Sequence, residues 1–477
     1  MKELAICTYL LFLSFSASSQ AWKVYPFIPD ESLISFPDDE GKHSLEPIEW
    51  WYTSGHLTGE SSGKHYSYML SYFRSPQFGF DGFRIFNFSD DDIGLIHYDT
   101  KPLYFTLNTT DSLNIEANIF MGGTETWHNK TDAGGKALPF EYKLTAESSL
   151  AELDLEYDAL KPPLILADSG FLYQGSDDYT YYYSQTRNAV SGTITFNGVS
   201  ENVSGTSWID RQYGIFNPAN GQEYEWFSAQ LSNGMDLNIY NIFSDSYKIP
   251  DTLTFRILAA YVDDNTQYTS SNFEIERLEY SYTTDEQRCY SQKWRLTSII
   301  NDIDIIISSL HPDYEVQLPF RFYEGSTNIT GTVMGENVTG IGFTELLHSY
   351  EIPDIKIADT TNLDDASTLL SWQLNNPDDG NPIEYDLEYS IDNQQSFSPL
   401  VQHIADTFYY WDTQALSNEE IWLKVTGYSI DKTIINSRIE HLVSNVTSID
   451  NIEEQKLFNI YPNPSDGIFT VEGKNIQ

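Results

Sequence analysis

Asn202-Val203-Ser204-Gly205-Thr206-Ser207-Trp208-Ile209-Asp210 aligns without a gap on Asn337-Val338-Thr339-Gly340-Ile341-Gly342-Phe343-Thr344-Glu345. Upstream, Ser191-Gly192-Thr193-Ile194 matches Thr330-Gly331-Thr332-Val333. Each copy predicts a β-hairpin that starts at Gly192 or Gly331 and turns at Asn197-Gly198 or Gly335-Glu336. Each then returns to an aromatic residue, a spacer and a carboxylate. Such self-similarity implies a duplicated unit. It places Asp210 and Glu345 at equivalent points of two related β lobes.

The lobes also open alike. Glu49-Trp50-Trp51-Tyr52 and Glu225-Trp226-Phe227-Ser228 each begin a strand, and each leads through a turn to an alternating return strand. The 33 Tyr, 27 Phe and 10 Trp, with abundant Thr, Ser and Asn, are strand and turn formers. Hardly any segment sustains a helical period, so the chain is expected to be all-β. Its 477 residues suit two to four domains.

The N-terminus has the pattern of an export signal over residues 1–19. An apolar run from Leu4 to Phe15 is followed by small residues before Gln20. That run is too short for a stable membrane anchor, and no other run is as long. Removal of the signal leaves Cys289 as the one cysteine, so no internal disulfide is expected. The net charge of −44 argues against nucleic acid or an anionic membrane as partner. From about Pro353 the chain changes to short alternating strands around Trp372, Tyr385 to Tyr389 and Trp422. These resemble a fibronectin type III-like β-sandwich over residues 353–448. Residues 455–477 include Tyr461-Pro462-Asn463-Pro464, which resembles the start of the type IX secretion sorting domain of Bacteroidetes. A secreted or cell-surface protein handled by that machinery is the expectation.

Residues 45 to 350 resemble the AttH/CrtC lipocalin-like family. The resemblance rests on Glu49-Trp50-Trp51-Tyr52, Tyr181-Tyr182-Tyr183-Ser184-Gln185-Thr186-Arg187 and Gly205-Thr206-Ser207-Trp208-Ile209-Asp210-Arg211-Gln212-Tyr213-Gly214. It extends through Trp226 to Leu231, Phe322-Tyr323-Glu324-Gly325 and Gly342-Phe343-Thr344-Glu345-Leu346. It implies two tandem lipocalin-like β-barrel lobes, residues 20–215 and 216–352, ahead of the sandwich. It also implies kinship with carotenoid 1,2-hydratase and relatives that hydrate or cyclise apolar polyenes. The family commonly places a further Glu-Trp after the Asp; here Arg211 is followed by Gln212-Tyr213.

Hydrating an alkene requires a carboxylic acid kept protonated by burial, aromatic faces for the cation and a shielded pocket. Asp210 is the leading acid candidate, followed by Glu345 and Glu49. Trp50, Trp51, Tyr52, Trp208, Tyr213, Trp226 and Phe343 are the candidate ligand walls. On an extended strand Trp208 and Asp210 share a face, as do Phe343 and Glu345. The same residues also suit a purely structural role: Trp-X-Asp can close a barrel end. No metal, nucleophile-elbow, phosphate-loop or dinucleotide motif stands in the sequence, so no cofactor and no metal are expected. The readings left open are a hydratase or isomerase of an apolar isoprenoid, a lipid or pigment carrier, and a surface adhesin. A barrel interior of this size either holds an apolar ligand or packs solid.

Overall fold

The computed structural model describes residues 21–215 and 223–347, apart from 78, 174–177, 244–254, 264–265, 286–287, 313 and 319–320, and parts of 354–473. The export signal and the Pro462-Asn463-Pro464 core lie outside the described residues.

Twelve strands build the first lobe. They are β1 Ile48–Gly59, β2 His65–Gln77, β3 Phe80–Asp90, β4 Leu95–Asn108, β5 Asn114–Ile119 and β6 Thr124–Thr131. They continue as β7 Ala137–Glu147, β8 Ala151–Ala159, β9 Leu164–Ile165, β10 Phe171–Tyr173, β11 Tyr179–Phe196 and β12 Val199–Ile215. β11, β12 and β1 to β8 follow one another around the sheet, and the β11–β8 pairing closes a ten-stranded antiparallel barrel. The remaining β9 and β10 pair with the N-terminal half of β11. In β8 burial alternates residue by residue, as a strand with one solvated face requires. From Ser207 to Gly214, by contrast, β12 is buried without a break, because it is covered on both faces.

The barrel interior packs solid. Trp51, Trp127, Tyr68, Tyr72, Tyr142 and Tyr157 are fully buried within it. Lumenal storage, one way to realise a carrier, therefore has no room here. The N-terminal segment seals one end, with Trp22, Ile34 and Phe36 in the same core.

The second lobe comprises β13 Glu223–Leu231, β14 Asp236–Phe243, β15 Phe255–Asp263, β16 Thr266–Ser270 and β17 Glu274–Tyr282. It continues with β18 Cys289–Ser298, β19 Ile303–Ser309, β20 Glu315–Gln317, β21 Arg321–Val333 and β22 Glu336–Leu346. Its order, β16-β15-β14-β13-β22-β21-β19-β18-β17 with β20 on β21, leaves β16 and β17 unpaired with each other among the described residues. The expected second barrel is therefore a half-barrel. Around its centre, β21-β22-β13-β14 repeats the first lobe's β11-β12-β1-β2.

The duplicated hairpins form, with two differences from the expectation: the strands that carry Gly192 and Gly331 begin earlier, at Tyr179 and Arg321, and the second turn is shifted. Asn197-Gly198 has φ of 51° and 77°, and the second copy matches this with Met334-Gly335 at 53° and 76°. The turn pair is thus Met334-Gly335, not Gly335-Glu336. A type I′ turn needs positive φ at both centres, so the glycine must come second. Gly192 and Gly331 are required by crowding. A Cβ at either would meet the backbone oxygen of Asp154 or Asp304 on the neighbouring strand. Gly331→Ala is expected to cost about 1–3 kcal/mol, seen as a lower urea midpoint.

The two lobes share a core that includes Tyr52, Trp208, Trp226, Tyr240 and Phe322. They form one compact unit, and a second unit spans mainly Ile355–Leu374, Glu384–Gly427 and Asn436–Gln477. Among its described residues are a three-stranded and a four-stranded sheet, with Trp372 packed edge-on to Tyr385 at 5.5 Å.

Candidate active site between the two lobes

Strand register places the site. On the first lobe, Ser184, Asp210, Tyr52, Ser71 and Ile85 are successive cross-strand partners on β11, β12, β1, β2 and β3. Direct partners project to the same face, so this row presents its side chains together. On the second lobe, Glu324, Glu345, Trp226 and Tyr240 form the corresponding row on β21, β22, β13 and β14. Asp210 and Glu345 hold equivalent stations. Trp226 stands where the first lobe has Tyr52, so its alignment with Trp50 in the sequence is two residues out of register.

The rows enclose a cavity of about 50 Å³ lined by Asp210, Glu324 and Glu345. Its other walls include Trp50, Tyr52, Trp226, Tyr240, Met69 and Ile85. Trp50 stacks on Phe73 at 5.0 Å and Phe73 on Phe83 at 4.9 Å, giving three parallel rings along one side.

Burial pushes the Asp210 carboxyl up to about 7, against the lowering effect of Ser184, Tyr182 and Trp208. Ser184 Oγ and Trp208 Nε1 each donate to Oδ1 at 2.6 Å, and the Tyr182 hydroxyl donates to Oδ2. Glu324 is raised well above the carboxylate range by burial and then by the charge of Glu345. Glu345 is raised by burial too. Two carboxyls in contact cannot both ionise, so the pair keeps a proton between them. The Tyr52 hydroxyl donates to Glu324 Oε1 at 2.8 Å, linking the two lobes at the site, and within the second lobe the Tyr224 hydroxyl donates to Glu345 Oε1.

Of the candidate residues, the structure brings Asp210, Glu345, Trp50, Tyr52 and Trp226 to one cavity, with Trp208 directly behind Asp210. Phe343 packs against His56, with ring centroids 5.1 Å apart, instead of lining it. Glu49, Trp51 and Tyr213 do not line this cavity, because their side chains alternate to the barrel side. Glu49 accepts from Arg74 at 2.5 Å and from Arg211 at 2.7 Å. Burial alone would raise Glu49, but the Arg211 charge and hydrogen bonds from His43 and Arg211 bring it down to about 2. An acid held ionised in this way cannot deliver a proton at neutral pH. Trp51 lies under the Arg211 guanidinium at 4.0 Å, and Tyr213 stacks on His43 at 3.4 Å. Members of the cavity wall that the sequence reading does not single out include Glu324, Tyr182, Tyr224, Gln212 and Ser71, with Ser184 bonded to Asp210. Glu324 was readable in principle, since counting back from the second hairpin's turn sets it opposite Glu345.

A family model described as AttH-like matches residues 28–350. The chain belongs to the AttH-like family. Among curated relatives, this AttH-like chain is similar to kievitone hydratase of Fusarium solani subsp. phaseoli. The two are 23% identical over 362 residues, covering 71% of this chain and 95% of that protein. Among solved structures it is similar to an AttH protein of Nitrosomonas europaea. The TM-score is 0.55 at 23% identity, with coverage of 68% of this chain and 99% of the other. The crystal structure of kievitone hydratase from Nectria haematococca gives a TM-score of 0.54 at 16% identity, with coverage of 65% and 91%. These likenesses bear out the all-β, lipocalin-like fold of the AttH-like region.

Proposed function

We propose that this AttH-like protein is a cofactor-independent hydratase that adds water across an alkene at the end of an apolar isoprenoid or polyene. The observation that carries this is the set of three buried carboxyls, Asp210, Glu324 and Glu345, held against ionisation in an aromatic-lined cavity. An alkene has no lone pair to protonate, so the barrier is the first proton transfer to carbon. A neutral acid excluded from water lowers that barrier. Asp210 delivers the proton from Oδ2, which accepts from Tyr182 alone, whereas Oδ1 accepts from both Ser184 and Trp208. The π electrons form the new C–H bond at one alkene carbon, and the other carbon becomes a carbocation facing Trp226, Tyr52 and Trp50, whose ring faces favour positive charge. The lone pair of a water then forms the C–O bond. The released proton returns to the Asp210 carboxylate by way of the Glu324–Glu345 pair, so the acid is regenerated and the net reaction is alkene plus water to alcohol. The likeness to a kievitone hydratase supports this class of reaction.

The test is incubation of the full chain with acyclic carotenoids and terpenoids in ¹⁸O-labelled water, read by mass spectrometry. A labelled alcohol supports the hydratase. A compound that stays bound and unchanged supports a carrier instead, with the ligand in the cleft. Because the active form of Asp210 is neutral, kcat/KM should be flat at acid pH. Above about 7 it should fall about tenfold per pH unit. A rate that rises through that range would mean Asp210 acts as a base.

Export fits the same reading. The signal over residues 1–19 and the sorting-like segment from residue 455 would deliver the enzyme outside the cell, with residues 353–448 as a fibronectin type III-like spacer.

A further inference from the structure

We infer that Ser71 holds the water that captures the carbocation, which makes it a positioning residue that decides between hydration and isomerisation. The inference rests on the hydratase reading above.

Ser71 is buried at 3% exposure and lines the cavity among Met69, Phe73 and Ile85. Its Oγ hydrogen-bonds to nothing among the described residues. A buried hydroxyl without a partner is destabilising, and in the wall of a cavity a bound water can satisfy it. A second polar atom in the same cavity shares this state: the indole Nε1 of Trp226, contributed by the other lobe. A bound water needs two to four polar partners. Ser71 and Trp226 supply an acceptor-donor and a donor, and the Glu324–Glu345 pair supplies an acceptor for the proton the water must lose.

The spacing suits the step. Ser71 is two strands from Asp210 in the same row, with Tyr52 between them. Their Cα atoms are therefore about 9–10 Å apart, from the usual spacing between strands. An acid-to-carbon approach, a carbon-to-water approach and a water-to-hydroxyl hydrogen bond, each about 3 Å, fill that distance. An alkene lying over the Tyr52 ring would present one carbon to Asp210 and the other to the water at Ser71. Without that water, the cation loses a neighbouring C–H proton to the Asp210 carboxylate, giving a shifted alkene and regenerating the acid.

Ser71→Ala and Ser71→Thr in the full chain test this, with alcohol and isomerised alkene quantified together in ¹⁸O-labelled water. For Ser71→Ala the expectation is at least a tenfold lower kcat for the alcohol, KM within about threefold, and a product ratio moved towards isomer. Ser71→Thr, which keeps the hydroxyl, should recover much of the alcohol. Ser71→Ala should melt close to the unmutated protein, because no other described side chain depends on the Ser71 hydroxyl. An unchanged alcohol-to-isomer ratio in Ser71→Ala would overturn the inference while leaving the hydratase standing. An unmutated protein that makes no alcohol from any alkene overturns both.

Discussion

Asp210→Asn should lose at least 10²–10⁴-fold in kcat, the range that general acids supply, while keeping its fold and its affinity for the substrate. The amide is nearly isosteric and can still accept from Ser184 and Trp208 at Oδ1. Its Nδ2 can donate to the Tyr182 hydroxyl, which has a second partner in Asn238. What it lacks is a transferable proton. The variant should therefore bind substrate, show an unchanged circular dichroism spectrum and form neither alcohol nor isomer. Equal loss of melting temperature and activity would assign Asp210 to the scaffold instead. Melting should, if anything, rise at pH 8. The folded-state pKa of Asp210 is raised, so the stability associated with its neutral form is fully present below about 4 and is lost as the pH climbs through about 7. The asparagine does not ionise.

Glu49→Gln should show the opposite profile, with severe loss of stability and little loss of activity per folded molecule. The Arg211 guanidinium is buried and donates to Glu49, to the backbone oxygen of Trp50 at 3.1 Å and to that of Gly41 at 2.5 Å. Removing the carboxylate leaves that charge uncompensated in the barrel. Breaking such a pair costs about 3–5 kcal/mol, readable as a lower denaturant midpoint. Because the Glu49 pKa is depressed, the pair contributes at every pH above the ordinary value of 4.5 and is lost only as the pH falls towards about 2. Glu49→Gln lacks this titration, so its stability deficit relative to the parent should shrink as the pH falls from about 4.5 towards about 2. A variant as stable as the parent would refute the structural assignment of Glu49.

The contrast between these acids marks what the sequence could and could not convey. The hairpin copies were legible because a strand's period of two and a glycine-bearing I′ turn leave a local imprint. The equivalence of Asp210 and Glu345 followed from them. Glu49, Trp51 and Tyr213 were drawn in by proximity to the right motifs, yet neighbouring residues on a strand face opposite ways. Trp50 and Tyr52 reach the cleft while Glu49 and Trp51 enter the barrel. Glu324 has no motif of its own; only the register of its hairpin sets it beside Glu345. Ser184 is harder still, since a bulge between Gln185 and Asn188 shifts the count that leads to Asp210. Ser71 is one serine among many until its burial and missing partner are seen. The closure of the first lobe and the open edge of the second depend on pairings far apart in the chain, which leave no local trace.

The row of side chains at the seam has a further consequence. Asp210 belongs to one lobe and Glu324 and Glu345 to the other, so neither half carries a complete set of acids. On the hydratase reading, the protein divided between β12 and β13 and supplied as two polypeptides should form no alcohol at high dilution and become active on mixing. Its rate should then grow with the product of the two concentrations. The repeated two-lobe arrangement thus also suits division into a two-component reporter.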